Sequence, residues 1–150
     1  MALRLSTDLK NYIVNQGIIK QLAGTMGTGG TSSLKIYTGS QPASADDGTS
    51  GTLLCTIINI GWGGTNGTVG ATSGTAAFAS AGGYTGTAVT SGTAGWARLE
   101  TVGTGFTGSA ATHRIDGDVG TGGTCAFVVN STIITALGSV SVLSMPISVG

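Results

Sequence analysis

Side chains able to do chemistry are few in this chain, and their spacing restricts what they can do together. His113 lies three residues before Asp116, but a Ser-His-Asp hydrolase needs a positioned nucleophile beside such a pair. No Gly-x-Ser-x-Gly elbow supplies one. Asp116-Gly117-Asp118 offers carboxylate oxygens of the kind that hold Ca²⁺, yet an EF-hand loop needs more acids and a glutamate at its twelfth position. A turn is the expectation for this tripeptide. The run from Gly27 to Ser33 has the composition of a phosphate-cradling loop but lacks its lysine and follows a helical segment. Cys55 and Cys125 fall in segments that read as strands, where they act as buried small hydrophobes or pair across the sheet; free thiols are the preferred reading. With a single histidine they cannot complete a Cys₂His₂ zinc site. No catalytic set, cofactor or metal is expected from this inventory.

Composition points the same way. Glycine occupies 28 of 150 positions, and only 8% of the residues are charged, against roughly a quarter in ordinary soluble domains. A surface that has given up so much charge is suited to lying against other protein. Six basic and six acidic residues cancel, so no general attraction to nucleic acid or anionic membrane is expected. The apolar run Leu53 to Ile60 is far shorter than the roughly 20 residues that span a bilayer, and Ser6, Thr7 and Asp8 interrupt any signal-peptide core after Leu3 and Leu5. Hydrophobic content of 40% and a mean hydropathy of +0.34 argue against a disordered chain.

The elements that would position these residues begin with a helix. Ser6 or Thr7 can cap it, Leu9, Tyr12, Ile13, Ile19 and Leu22 recur at near-helical spacing, and Gly24 ends it after about four turns; packing of its apolar face on the β core is the preferred reading, and an arm docked on a neighbouring subunit is the sharper one. This gives two units: an N-terminal arm and helix over 1–24, and a β domain over 25–150, together one compact domain. Leu34 and Ile36 alternate with Lys35 and Tyr37 as in a half-buried strand, and a polar loop follows from Gly39 to Gly51. Further strands are expected at Thr52 to Ile60, Thr75 to Ala79, Thr85 to Thr90, Gly95 to Thr101, Arg114 to Val119, Thr124 to Asn130 and Val140 to Val149. Pro146 in the last suits an edge or a bulge.

About eight short strands separated by turns indicate a mainly β fold, an antiparallel β-sandwich or jelly-roll-like domain with one N-terminal helix. The expected core is Leu53, Cys55, Ile57, Val89, Leu99, Phe127, Val129, Leu143 and Ile147. Trp96 reads as a core anchor, whereas Trp62, in Gly61-Trp62-Gly63-Gly64, reads equally as presented on a loop for an interface and as packed.

Four segments carry a resemblance: MALRLSTDLKNYIVNQG at the start, LKIYTGSQPASADDGTSGTLLCTI from Leu34, SGTAGWARLE from Ser91 and RIDGDVGTGGTC from Arg114. Together they resemble a family of small virion structural proteins of tailed bacteriophages and prophages, spread from end to end over about half the chain. The resemblance implies a many-copy structural protein of the virion, made in the bacterial host cytoplasm. Within that class a capsid decoration or cement protein on the outer head shell is expected, with the major capsid protein and copies of itself as partners, a trimer being one assembly of the homo-oligomer. Docking is then expected through Leu3, Leu5, Leu9, Tyr12 and Ile13 of the N-terminal segment and through loops holding Tyr37, Trp62 and Tyr84, since aromatic residues are enriched in interface centres. A tail, collar or baseplate component is the alternative within the class. A carbohydrate-binding adhesion module stacking sugars on Trp62 and Tyr84 is the alternative outside it.

Overall fold

Ser6 opens the chain's first element by accepting a hydrogen bond from the Leu9 backbone N–H at 3.3 Å, as an N-cap does. In the computed structural model, which describes residues 5–14, 32–58, 60, 75–76, 84–101 and 113–148, helix α1 covers Thr7–Tyr12. Ile13 and Val14 extend it by part of a turn. The rest of the expected four-turn helix, and the boundary between the two expected units, lie outside the described residues. Val14 is fully buried in the same apolar cluster as the strands. The N-terminal segment is therefore tied into the core rather than hung beside it.

The described strands are β1 (Ser32–Thr38), β2 (Leu53–Ile58), β3 (Thr75–Ala76), β4 (Tyr84–Thr87), β5 (Gly92–Thr101), β6 (Arg114–Gly120), β7 (Phe127–Val129), β8 (Ile133–Ile134), β9 (Ser139–Ser144) and β10 (Ile147–Ser148). Seven of them pair in the order β2-β1-β5-β6-β7-β9-β4, with β8 on the side of β5, while β10 pairs with β3 separately. The two ends of the long path meet: Cys55 of β2 bridges Ala88 just after β4, and the Val89 N–H donates to the Leu54 carbonyl at 2.8 Å. The sheet thus curls almost into a barrel. The fold is mainly β, as expected, and all the described strands but β3 and β10 belong to this one curled sheet.

Pairing is antiparallel throughout the path except between β6 and β7, where Val119 and Gly120 run parallel to Phe127 and Val128. A parallel neighbour ordinarily needs a crossover of a dozen or more residues. Here the return is made in a short glycine-rich turn, and the Asp118 carboxylate holds it by accepting the Ala126 N–H at 2.9 Å. Pro146 separates β9 from β10, so the single expected last strand is two.

Alternation assigns the barrel its inside. Leu34, Ile36, Cys55, Ile57, Ala97, Leu99, Val119, Phe127, Val129, Val140 and Val142 are buried in one cluster. Of the expected core, Cys55, Ile57, Leu99, Phe127 and Val129 are buried, and Leu53 and Ile147 are half-buried. Val89 and Leu143 are instead 64% and 52% exposed. In each case an adjacent residue takes the inward position, Ala88 and Val142 respectively, because successive side chains in a strand point to opposite faces.

Close approach requires glycine at several positions, two of which bear directly on the packing of neighbouring strands. A Cβ on Gly86 would stand 2.8 Å from the Thr56 carbonyl oxygen and 2.9 Å from Ile57, so its absence lets β4 lie against β2. A Cβ on Gly117 would stand 2.5 Å from the Ala126 methyl and 2.9 Å from the Phe127 ring.

Candidate docking surface

The residues that sequence pattern brought forward for docking are distributed over different environments. Leu9 and Tyr12 lie on α1, 46% and 65% exposed, and their i, i+3 spacing makes them neighbours on one side of the helix. Leu5 and Ile13, flanking them, are half-buried. Tyr84 begins β4 and packs half-buried against the core cluster. Tyr37 does not sit in a loop: it is in β1, 7% exposed, with its ring stacked on Trp96 at 4.7 Å between centroids. Leu3 and Trp62 lie outside the described residues. Of the expected set, then, Leu9 and Tyr12 are brought together as an exposed apolar pair.

Trp96 is fully buried, as expected of a core anchor, but it points away from the barrel interior. Strand parity places Trp96, Arg98 and Glu100 of β5 on the outer face, beside Lys35 and Tyr37 of β1 and Arg114, Asp116 and Asp118 of β6. Half of the chain's twelve charged residues stand on this one wall. Arg98 and Asp116, paired across the strands, form a two-pronged bond with both distances at 2.7 Å, and their side chains are 3% and 1% exposed. The Arg98 guanidinium also lies 5.5 Å from the Trp96 ring. Its hydrogen bond to Asp116 raises its pKa, against the opposing effect of burial. Lys35 and Glu100 make a second pair, and Arg114 donates to the Ala45 carbonyl of the polar loop at 3.2 Å.

This arrangement explains why Asp116-Gly117-Asp118 is not a turn. In β6 the two carboxylates fall on the same face with an inward glycine between them, one neutralising Arg98 and the other anchoring the β6–β7 connection. Both are occupied with protein partners. Cys55 is buried in β2, and burial pushes its thiol above the ordinary thiol range, which keeps it protonated and weakly nucleophilic. Cys125 is also a free thiol but lies in the turn before β7, not in a strand. Among the described residues no group of three or more His, Cys, Asp or Glu could hold a metal ion.

What sequence pattern missed is the outer surface of the other half of the barrel. Ile58, Val89, Ile133, Leu137 and Leu143 are large apolar side chains more than half exposed. Leu137 is 86% exposed and has a left-handed φ of 67°, in a turn closed by the Gly138 N–H on the Thr135 carbonyl at 2.9 Å. That conformation ordinarily selects glycine. Strand parity was the available signal for Val89 and Leu143; for Leu137 there was none.

No protein-family model, curated protein or solved structure matches the chain.

Proposed function

We propose that the chain is a many-copy structural protein of a tailed-phage virion, a capsid decoration protein that binds the outer head shell. The observation that carries this reading is the exposed pair Leu9 and Tyr12 on a helix whose next turn is anchored by the buried Val14. A rigidly held apolar pair is suited to insert into a neighbouring subunit, because little conformational freedom remains to be lost on docking. Charges on the wall built by β1, β5 and β6 are spent on partners within the barrel, which supports a structural role over a catalytic one. The reading keeps a sandwich or jelly-roll-like topology as part of the proposal, supported by the mainly β, strongly curled sheet. Repetition over the shell would multiply a modest contact into firm attachment.

The test is the ratio of this chain to the major capsid protein in purified virions, measured by mass spectrometry before and after tails are removed. A ratio near one retained on tail-free heads is the expected result. A few copies lost with the tails would instead place the protein in the tail, collar or baseplate. Because Val14 belongs to the core, removing the whole N-terminal segment would damage the fold, so point substitutions are the appropriate probe. Leu9→Ser with Tyr12→Ser is expected to lower head occupancy at least tenfold, about 1.4 kcal/mol or more per site, while the melting transition stays in place. Unchanged occupancy would exclude α1 as the docking element.

A further inference from the structure

Charge is divided along this chain as unevenly as glycine is abundant in it. No Asp, Glu, Lys or Arg occurs between residues 48 and 97 or between 119 and 150. Mapped onto the fold, those two tracts contain β2, β3, β4, β7, β8, β9, β10 and the start of β5, whereas β1, the end of β5 and β6 carry the strand charges. The barrel strands therefore divide into a charged side and a side whose own strands carry no charge.

The uncharged wall is most fully exposed on β4 and β9. Their register places Thr85 opposite Ser141 and Thr87 opposite Ser139, all on the outer face, with Leu143 following on β9. Thr85, Thr87, Ser139 and Leu143 are exposed and Ser141 is half-buried. Inward, Val140 and Val142 belong to the core. The outer surface of this two-strand ribbon is thus a double row of hydroxyls ending in a leucine.

We infer that this ribbon is where copies of the chain meet one another. Three features on the page select a second copy as the occupant. A hydroxyl both donates and accepts, so a row of Ser and Thr can bond to an identical row, which a row of carboxylates or ammonium groups cannot do. Near a symmetry axis each residue approaches its own counterpart, and an uncharged face is the one that does so without like-charge repulsion. Of the exposed large apolar residues among those described, Leu143 lies on the ribbon itself and Val89 and Leu137 lie at its end, where the Leu137 N–H donates to the Ala88 carbonyl. Depletion of charge together with exposed apolar groups is the composition of an interface centre.

This inference does not depend on the virion reading, and its test needs only the purified full chain. Sedimentation velocity across a concentration series is expected to show an assembly larger than the 14.6 kDa monomer. Thr87→Glu and Leu143→Glu, made separately, each bring like charges together in such an assembly and are expected to weaken it about 100-fold or more. Thr49→Lys, on the exposed polar loop, should leave it unchanged. Circular dichroism on each variant verifies that the β fold persists, and having two variants protects the test against one of them misfolding. A monomer at every concentration would overturn the inference, as would an oligomer indifferent to both glutamates. Loss of head occupancy with the oligomer intact would bear on the docking helix alone.

Discussion

Arg98 occupies a position where charge is costly to keep, with its guanidinium almost wholly removed from water between the Trp96 ring and the Asp116 carboxylate. Such a pair adds little net stability compared with apolar residues of the same volume, but removing one member strands the other. Arg98→Met is therefore expected to cost about 3–5 kcal/mol in urea unfolding, and Arg98→Met with Asp116→Leu to recover most of that loss. Equal losses in the single and double variants would refute this account. Cys55 gives a second residue-level prediction through its raised pKa. Folding favours the protonated thiol, so the stability it contributes is complete below the ordinary thiol range and declines as the pH rises through it. Cys55→Ala should flatten that alkaline decline, as followed by thermal melts across pH. At this scale the sequence was readable where parity was simple, as for Cys55, Ile57 and Phe127. It was misread at Val89 and Leu143, where hydrophobicity was weighed above the alternation that hands the inward position to Ala88 and Val142.

Element by element, the cap on α1 and most strands were legible because Ser6, the Gly-Thr turns and the period-two runs act locally. The two-residue β8 went unseen, since Ile133–Ile134 is too short to show a period and owes its pairing to Gly92 and Thr93, about forty residues away in sequence. Closure was equally invisible. It joins Cys55 to Ala88 through backbone atoms that carry no residue-specific signal. The seam rests on Gly86, where any side chain would collide with the Thr56 carbonyl and Ile57. Gly86→Val is expected to destabilise the fold by about 2–4 kcal/mol through overpacking of the seam. Amide exchange should then accelerate first on β2 and β4. Uniform acceleration over all strands would mean that the seam is not a separate weak point.

Over the whole molecule, the strand charges are confined to one side of the barrel. The charged wall satisfies itself, through Arg98 with Asp116 and Lys35 with Glu100. The uncharged wall has its strands bonded laterally but its outer hydroxyls turned outward, and the glutamate substitutions at Thr87 and Leu143 measure what that surface is for. Composition made the scarcity of charge plain. Its segregation onto one wall became visible only with the strand order, because β1, β5 and β6 are brought side by side from positions up to 88 residues apart.

Closure of the barrel also protects the chain from itself. Strand β2 reads Leu-Leu-Cys-Thr-Ile-Ile, an uncharged, proline-free hexapeptide rich in β-branched residues, which is the composition of a fibril-forming segment. One of its edges is covered by β1, and the other only by the short seam to β4. While the seam holds, that edge is partly occupied; when it opens, this segment faces the solution with no gatekeeping charge beside it.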